Sequence, residues 1–299
     1  MSILSVGSIA FDSIEAPTGK ATEVLGGSGT YFSLAASFFT PVHLVGVVGT
    51  DFGDEHLARF RKARIDTEGI ERVDGRTFRW TGRYSEDMNR RETLSLELNV
   101  FETFDPKIPR SYRSCPFVFL ANASPELQMK ILEQVPECRF SLLDTMDYWI
   151  REEPKALRAI LPRVDGLVIN DEEARLLADR GNLITAGNEI LEMGPKIVVV
   201  KKGEHGSFLF STYLHYALPA FPLEDVVDPT GAGDSFAGGM MGYLAKGGRV
   251  TIGRIKKAMT YGTVMASFSV ERFGPERLEE ITTEDVADRY EDFVQFTTP

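Results

Sequence analysis

The stretch at 228–239, DPTGAGDSFAGG, places one carboxylate, Asp234, beside a run of very small residues. An apolar pattern at helical spacing follows, so the small residues lie where a loop becomes a helix. The N-terminus of a helix presents unpaired N–H groups and a partial positive charge, and residues without bulky side chains let an anion approach them. We therefore predict an anion site, suited to a phosphate, at the backbone of Gly231, Ala232 and Gly233.

Asp234 is the residue that would give this site a chemistry. A carboxylate beside a phosphate is repulsive, and one reason to place it there is removal of a proton from a hydroxyl that attacks the phosphorus. The alternative is that Asp234 only caps the helix that follows, which is a common role for aspartate. The stretch alone leaves both interpretations open.

Short apolar runs and amphipathic segments must position these residues. Helical patterns include 54–64, 125–135 and 171–180. Apolar strands that alternate with such helices predict an α/β fold whose central sheet is mostly parallel and covered on both faces. The runs that we interpret as strands are 3–6, 42–48, 117–121, 140–144, 166–170 and 196–200.

Two segments with alternating hydrophobicity interrupt this pattern. Residues 77–84 and 92–100 both have period two, and the polar connector 85–91 joins them. We predict an inserted antiparallel unit, mainly from about 75–101, with one buried face. It is either an edge hairpin or a lid or dimer surface, and the size of the apolar face favours the second interpretation. The residues expected on that face are Leu94, Leu96, Leu98 and Val100.

The composition restricts the class of protein. A chain of 299 residues with 43% hydrophobic and 26% charged residues is expected to form a large soluble domain with an appendage. The net charge of −11 disfavours nucleic acid and anionic membrane as partners. Cys115 and Cys138 are too few for a disulfide scaffold, and no apolar run reaches the ~20 residues of a membrane span. The first residues lack the pattern of a signal peptide, so we expect a cytoplasmic protein.

The stretch DPTGAGDSFAGG resembles the C-terminal signature of the ribokinase/PfkB family of carbohydrate and nucleoside kinases. Segments 6–12, 24–38, 169–174 and 198–210 resemble other parts of that family in chain order, so the resemblance covers essentially the whole chain. It implies one ribokinase-like domain over 1–299, a three-layer sandwich with a small inserted β-lid. It also implies a kinase that transfers the γ-phosphate of ATP to a hydroxyl of a carbohydrate or nucleoside.

The resemblance assigns roles to individual residues. Asp234 would be the base, with Gly231, Ala232 and Gly233 as the anion hole, and Glu173 would organise Mg²⁺ through water. The residues implied on the acceptor side are Asp12, Gly26, Gly27 and Tyr31. Those implied on the ATP side are Asn170, Lys201, Gly203, Gly206 and Thr263.

Some of these residues have simpler interpretations. The segment 170–174, NDEEA, is also typical of a capped helix start, and capping is compatible with a metal role. Thr263 lies in an apolar run typical of core packing. Asp144 ends a predicted strand, where it suits a phosphate or metal contact as well as a structural carboxylate. Among the polar residues of the predicted lid, Asn99 is our candidate for substrate contact.

The chain departs from ribokinase at two positions that would bind ribose. Ala10 and Tyr31 stand where ribokinase has amide side chains, and the loss of hydroxyl-binding amides disfavours ribose itself. Phe11 and Tyr31 add aromatic surface for stacking on a base, which favours a nucleoside or a larger sugar derivative. Asp228 with 269–274 resembles the family's monovalent-cation loop. Members of the family differ in cation use, so K⁺ is an optional cofactor. The predicted lid is also a possible surface for a homodimer.

Two other classes of protein were weighed. A non-catalytic sugar- or nucleotide-binding regulator with the same fold would be favoured by loss of Asp234, Glu173 or the glycines, and all of these are present. A Rossmann-type oxidoreductase would need a GxGxxG fingerprint after the first strand, and residues 5–20 lack that spacing. A kinase with ATP and a sugar or nucleoside as its small-molecule partners is therefore the leading hypothesis.

Overall fold

The computed structural model describes residues 1–298, and its strands are numbered here along the chain. They are β1 (Ile3–Val6), β2 (Ala10–Ala16), β3 (Gly19–Gly26), β4 (Val42–Val48), β5 (Ile65–Arg72), β6 (Phe78–Tyr84), β7 (Arg91–Glu97), β8 (Phe117–Leu120), β9 (Phe140–Asp144), β10 (Gly166–Asn170), β11 (Ile197–Lys201), β12 (Ser207–Ser211) and β13 (His215–Leu218).

The helices connect most of the strands of the central sheet. They are α1 (Ser28–Ser37), α2 (Asp54–Lys62), α3 (Pro125–Gln134), α4 (Asp147–Glu152), α5 (Pro154–Ile160), α6 (Asp171–Ala178), α7 (Leu183–Glu192), α8 (Ala232–Gly247), α9 (Ile252–Ser269), α10 (Glu276–Glu280) and α11 (Thr283–Thr297). None of the helices in the described part of the chain is long and apolar enough to cross a membrane.

The larger sheet has nine strands within residues 1–298, in the order β13-β12-β11-β10-β9-β8-β1-β4-β5. Its neighbouring strands run parallel except around β12, which is antiparallel to β11 and β13. Strand β1 lies between β4 and β8, so the strand order of the sheet reverses at β1. The carboxyl ends of the parallel strands share one edge, and ligands of such sheets bind where the strand order reverses.

Alternation along the strands produces two apolar layers around the sheet. In β10, Val168 packs into one core, whereas Leu167 and Ile169 pack into the other. Helices α1, α2, α8, α9 and α11 contribute to the first core, and α3, α5, α6 and α7 to the second. Successive side chains of a strand point to opposite faces, so a strand covered on both sides is apolar throughout. The predicted three-layer α/β sandwich is confirmed.

The second sheet has four strands in the described chain, in the order β3-β2-β6-β7. The predicted insertion supplies only β6 and β7, and the sequence did not indicate β2 and β3. The resemblance of 6–12 to the family's first strand implied that Asp12 ends this strand, but β1 ends at Val6 and Asp12 lies within β2. The chain leaves the central sheet after β1, and β2 pairs in parallel with β6, so Asp12 lies directly beside Trp80. We call this four-stranded unit the lid sheet.

Strand β7 differs from its predicted pattern. The pairing of β6 with β7 shifts between Thr81 and Gly82, so Leu96 pairs with Trp80 while Thr93 pairs with Gly82. This irregularity places Thr93 on the same face as Leu96, where strict alternation would have placed it opposite. The strand ends at Glu97, before Leu98 and Val100, and a 3₁₀ turn follows. Leu96 is 54% exposed, so the expected burial of this face is not met within the chain itself.

Candidate active site

The loop before α8 has a defined backbone conformation. Gly231, the residue before the helix, has φ of 75°, in the left-handed region that favours glycine. The buried Asp228 carboxylate accepts hydrogen bonds from the amide of Thr230, over 2.8 Å, and from the amide of Gly274, over 3.3 Å. Asp228 therefore ties the loop to the segment after α9 and sets the direction in which α8 begins.

The start of α8 presents amides and a cation at one point. The Ala232 amide donates to the Pro229 carbonyl over 3.2 Å, whereas no acceptor is found in the described chain for the amides of Gly231 and Gly233. A Cβ added at Gly233 would lie 2.7 Å from Lys201 Nζ, so the lysine ammonium sits directly against the helix start. Two unpaired amides, the positive end of α8 and Lys201 together form an anion site.

Three neighbouring strands of the central sheet end in polar residues beside this anion site. They are Asp144 at the end of β9, Asn170 at the end of β10 and Lys201 at the end of β11. Lys201 Nζ lies 3.8 Å from Asp144 Oδ1. The carboxyl ends of parallel strands lie at one edge of the sheet. These three side chains are therefore neighbours although they are far apart in the sequence.

Asp234 lies in the first turn of α8, within the electrostatic field of this cluster. Burial raises the pKa of its carboxyl group to about 7, and Asp144 adds to the shift while Lys201 and Arg91 oppose it. Burial alone would lower the pKa of Lys201, but the carboxylates of Asp144, Glu173 and Asp234 raise it overall. The lysine therefore stays charged, whereas Asp234 titrates in the range where a general base is most effective.

Asn170 and Glu173 form a capping box at the start of α6. The Asn170 side chain accepts from the Glu173 amide over 2.8 Å, and the Asn170 amide donates to Glu173 Oε2 over 3.0 Å. Burial, with a contribution from Asp144, raises the pKa of Glu173 to about 7. The structure therefore contains the cap that the sequence also suggested. Oε2 of Glu173 is engaged in it, which leaves Oε1 to meet a water of a hydrated ion.

No cluster of three or more metal-binding side chains occurs in residues 1–298. This agrees with the chemistry of Mg²⁺, which gives up its water reluctantly and is commonly held by one or two carboxylates together with substrate phosphates. Glu173 and Asp144 are the carboxylates that suit such an ion when it arrives with a nucleotide.

The acceptor side of the site is built around Asp12. This carboxyl group is only 4% exposed, accepts a hydrogen bond from the Gly27 backbone and has its pKa raised to about 7 by burial. Gly26 faces it, and any Cβ at that position would overlap the carboxyl group. The field of Asp234 acts on Asp12 as well. The structure thus brings the two predicted acids, from β2 and from α8, to one site.

The aromatic residues predicted to stack on a base are misplaced for that role, and this prediction is wrong. Tyr31 is 1% exposed with its ring packed beneath Gly231, and Phe11 is 7% exposed against Phe52 and His56. Phe11 and Asp12 are successive residues of β2, so their side chains point to opposite faces of the lid sheet. The ring on the Asp12 face is Trp80, its neighbour in β6.

The remaining predicted residues lie around this site in different settings. The Asn99 side-chain amide donates to the carbonyls of Thr77 and Glu97 over 3.1 and 3.3 Å, so it holds the turn after β7. Gly203 and Gly206 shape the turn after β11, beyond Lys201. Thr263 is buried within α9, in agreement with its interpretation as a core residue.

The tip of the lid sheet reaches the anion site. The Tyr84 hydroxyl lies 3.0 Å from the Thr230 hydroxyl in the loop before α8, and the Asn89 amide donates to Glu204 over 2.9 Å. Arg91 pairs with Tyr84 across the two strands, and its guanidinium carbon lies 5.4 Å from the centre of the Trp80 ring. Sequence analysis did not single out Trp80, Tyr84 or Arg91. The period-two pattern of β6 was the available signal, since it places residues 80, 82 and 84 on one face.

The fold and the site together define a class of enzyme, the small-molecule phosphotransferases that act on a hydroxyl group. The model of the pfkB family of carbohydrate kinases matches residues 2–281. The chain belongs to this family and is an ATP-dependent kinase for a hydroxyl of a sugar or nucleoside.

Individual relatives agree with this assignment. The cytidine kinase of Thermococcus kodakarensis is 27% identical over 254 residues, which cover 83% of this chain and 90% of the relative. The nucleoside kinase of Burkholderia thailandensis in complex with inosine has a TM-score of 0.80 at 18% identity, over 98% of this chain and 99% of that one. A putative ribokinase II from E. coli, in complex with ATP and Mg²⁺, also has a TM-score of 0.80 at 18% identity, over 97% and 99%. The two structures establish the fold.

Proposed function

We propose that this enzyme is a nucleoside kinase, which transfers the γ-phosphate of ATP to a hydroxyl of the sugar of a nucleoside. The observation that carries this proposal is the pairing of Asp12 with Trp80 on the site face of the lid sheet. A buried carboxylate suits the hydroxyls of a sugar, and an aromatic plane next to it suits a ring attached to that sugar. The names of relatives, a cytidine kinase and a nucleoside kinase complexed with inosine, support the same choice.

The proposed roles follow from the positions of the residues. Asp234 is the general base, and the amides of Gly231 and Gly233 with the Lys201 ammonium bind the transferred phosphoryl group. Glu173 holds Mg²⁺ through water, together with the phosphates of ATP. Asp12 binds the acceptor hydroxyls, beside Gly26 and Gly27, with Tyr31 buried behind them. The residues proposed near ATP are Asn170, Gly203, Gly206 and Thr263.

The phosphoryl group is transferred in a single step. The acceptor O–H bond breaks and its proton passes to the Asp234 carboxylate, while the acceptor oxygen forms a bond to the γ-phosphorus. The bond between that phosphorus and the bridging oxygen of ATP breaks, and its electron pair leaves with ADP. The Lys201 ammonium and the free amides at the start of α8 stabilise the charge on the phosphoryl oxygens.

Three further predictions accompany this proposal. The chain acts as a single kinase domain with the lid sheet inserted, although Pro299 of the predicted range 1–299 lies outside the described residues. A monovalent cation at the Asp228 loop and a homodimer formed through the lid sheet stay predictions.

A panel of acceptors tests the proposed substrate class. ADP release is measured with ATP and Mg²⁺ in the presence of each of the common ribonucleosides and deoxyribonucleosides, and of free ribose, fructose and inositol. We expect kcat/KM to be highest for a nucleoside. Faster turnover of a free sugar or of inositol than of every nucleoside would reject the nucleoside assignment and leave the kinase class intact.

The two tryptophans of the chain permit a direct test of the stacking surface. Trp149→Phe leaves Trp80 as the single tryptophan, and a nucleoside that stacks on it should quench the tryptophan emission, whereas ribose should not. Trp80→Ala should raise KM for the nucleoside by about tenfold, in line with the ~1–3 kcal/mol of a base stacked on an aromatic side chain. Tyr213→Ala, which removes an 86% exposed ring, is the matched control. An equal KM for the nucleoside in Trp80→Ala and Tyr213→Ala would show that Trp80 does not contribute to nucleoside binding.

A further inference from the structure

Five arginines lie in or beside the two hairpin strands of the lid sheet, and three of them are paired on its outer side. Arg76 contacts Glu97 at 3.3 Å, and Arg83 contacts Glu15 at 2.8 Å. Arg79 contacts Glu23 at 2.7 Å and Asp51 at 2.8 Å. Residues 79 and 83 share a face in β6, opposite to that of Trp80 and Tyr84. The Arg79 side chain is only 15% exposed and lies over the Phe11 ring, and like Arg76 and Arg83 it already has carboxylate partners within the chain.

Arg91 is different from these three. Across residues 1–298 it makes no ion pair with a carboxylate. Its neighbour in β7, Glu92, pairs with Arg83 instead. Its pairing with Tyr84 places it on the site face. Arg91 is exposed, and its guanidinium carbon lies 5.4 Å from the centre of the Trp80 ring in a cation–π contact on that face.

The position of Tyr84 locates the arginine relative to the phosphate. The Tyr84 hydroxyl meets Thr230, the residue before the Gly231 of the anion site, at 3.0 Å. Residues directly opposite each other in an antiparallel pair have Cα atoms about 4.5–5.5 Å apart, so Arg91 enters the site over the same loop. An arginine side chain is about as long as that of the tyrosine, which already contacts Thr230 from the neighbouring position.

The charges of the site create a need for such a group. The charges of four carboxylates act on this site, and Lys201 is the cation that the central sheet supplies. The charge of Arg91 lowers the pKa of Asp12, Glu173 and Asp234 against the larger effect of burial. ATP brings more negative charge than its Mg²⁺ carries, so a second protein cation would add to the stabilisation where the phosphoryl group moves. The four carboxylates are Asp12, Asp144, Glu173 and Asp234.

We propose that Arg91 is a further catalytic residue, whose guanidinium group binds oxygens of the phosphoryl group during its passage from ATP to the acceptor. The proposal rests on the kinase activity and on the placement of the phosphate at the start of α8. Arg91 takes no part in proton transfer, which stays with the acceptor hydroxyl and Asp234. Because Arg91 comes from the lid sheet, the second cation is in place only while the lid lies over the site. Lid position is thereby coupled to chemistry, and hydrolysis of ATP is disfavoured while the lid is open.

The test compares Arg91→Gln with Arg90→Gln. Arg90 is the adjacent arginine, its side chain makes no hydrogen bond or ion pair in the described chain, and its backbone alone holds the turn to Ser85. We expect Arg91→Gln to lower kcat by about 10²–10³-fold, the usual effect of losing one donor to a transition-state oxyanion, with a much smaller change in either KM. Arg90→Gln should retain kcat. Wild-type kcat in Arg91→Gln, or a change confined to KM, would overturn the proposal.

Chemical rescue separates a missing charge from a damaged lid. Guanidinium ion added to Arg91→Ala at concentrations well below those that unfold the protein should raise kcat several-fold, and should leave wild type and Arg90→Ala unchanged. Absence of rescue, combined with equal activity of Arg91→Lys and Arg91→Ala, would show that positive charge at this position is irrelevant.

The same variants distinguish this inference from the proposed substrate class. Slow hydrolysis of ATP by water needs no acceptor, so Arg91→Gln should lower it even when no nucleoside is phosphorylated. If no nucleoside is phosphorylated but ATP hydrolysis depends on Arg91, the proposed substrate class is rejected and the role of Arg91 is supported. If a nucleoside is phosphorylated and both activities are unchanged in Arg91→Gln, the substrate class is supported and the role of Arg91 is rejected.

Discussion

Asp234 and its charged neighbours illustrate how single residues acquire chemistry in this protein. An isolated aspartate is almost fully ionised at neutral pH and is a weak base, whereas burial raises the pKa of Asp234 to about 7. The Lys201 ammonium remains charged because three carboxylates surround it, and it lies against the helix start at Gly233. A buried carboxyl group with a raised pKa and a positively charged helix start therefore coexist at the beginning of one helix.

Replacement of Asp234 by Asn should remove the base and preserve the shape of the site. We expect kcat to fall by roughly 10²–10⁴-fold, the range for a lost general base, with ATP affinity nearly unchanged. Steady-state kinetics and equilibrium binding of ATP measure the two quantities. Asp225→Asn, an exposed aspartate earlier in the same loop, is the control and should behave as wild type. Turnover of Asp234→Asn at the wild-type rate would show that Asp234 is only a cap.

The raised pKa of Asp234 also predicts a pH dependence. The base acts in its ionised form, so protonation of a group with a pKa of about 7 removes activity on the acid side. We expect kcat/KM for the acceptor to decrease as pH falls below about 7, by about tenfold per pH unit at the lower end. The profile is measured from pH 5.5 to 8.5 at saturating Mg²⁺. A flat profile between pH 6 and 8 would contradict the raised pKa.

The lid sheet is the element that joins the two halves of the site. Its β2 carries Asp12, its β6 carries Trp80 and Tyr84, and its β7 carries Arg91. The hydrogen bond between Tyr84 and Thr230 connects this sheet to the loop before α8. A second contact joins Asn89 to Glu204 in the turn after β11. Both contacts hold the lid over the strand ends of the central sheet.

A double-mutant cycle tests the first of these contacts. Tyr84→Phe and Thr230→Val each remove the hydrogen bond and keep most of the packing, so each should lower kcat/KM by about fivefold, corresponding to ~1 kcal/mol. The double variant should be no worse than either single variant, because both changes remove the same interaction. Purely additive effects would mean that the two hydroxyls act independently. The matched control is Ser211→Ala, a hydroxyl in β12 that pairs with Ile197, at the end of β11 opposite to Lys201.

The charge of the whole molecule opposes its ligand, and the site has to overcome that opposition locally. The chain carries a net charge of −11, and carboxylates converge where the phosphates of ATP are expected. Lys201, Arg91, the start of α8 and the Mg²⁺ of the nucleotide supply the compensating positive charge. In the free protein these carboxylates repel one another in a buried place, so the site reduces stability for the sake of function.

Neutralising one of these acids should therefore stabilise the free protein. The pKa of Asp12 is raised from 3.8 to about 7, so its cost to folding is absent at low pH, grows as pH rises through this interval and is complete above it. We expect Asp12→Asn to raise Tm by several degrees at pH 8 and by less at pH 5, since 1 kcal/mol corresponds to roughly 2–4 °C in a large domain. Differential scanning calorimetry without nucleotide measures the change. A lower Tm at pH 8 would show that Asp12 stabilises the fold.

The same variant should lose affinity for its acceptor. The amide of Asn cannot replace a carboxylate that accepts charge-assisted hydrogen bonds from two hydroxyls, and about 2–4 kcal/mol of binding should be lost. KM for the acceptor should rise far more than KM for ATP. An unchanged acceptor KM in this folded variant would place the acceptor hydroxyls elsewhere.

The amino-acid sequence by itself determined the α/β class, most strand positions and the glycine-rich helix start at 228–239. These features are local, because hydrophobic periodicity and a glycine-rich helix start are encoded within a few neighbouring residues. Only the tertiary structure decided which face of the lid sheet meets the site. Strands β2 and β3 have mixed patterns and acquire their role when β2 pairs with both β3 and β6, so Asp12 was misplaced and Phe11 was chosen over Trp80. The pairing of β2 with β6 is long-range, since it joins residues some 70 positions apart, whereas the irregularity in β7 and the pairing of Arg91 with Tyr84 belong to one hairpin. The contact between Tyr84 and Thr230, which brings this hairpin to the anion site, again joins distant parts of the chain.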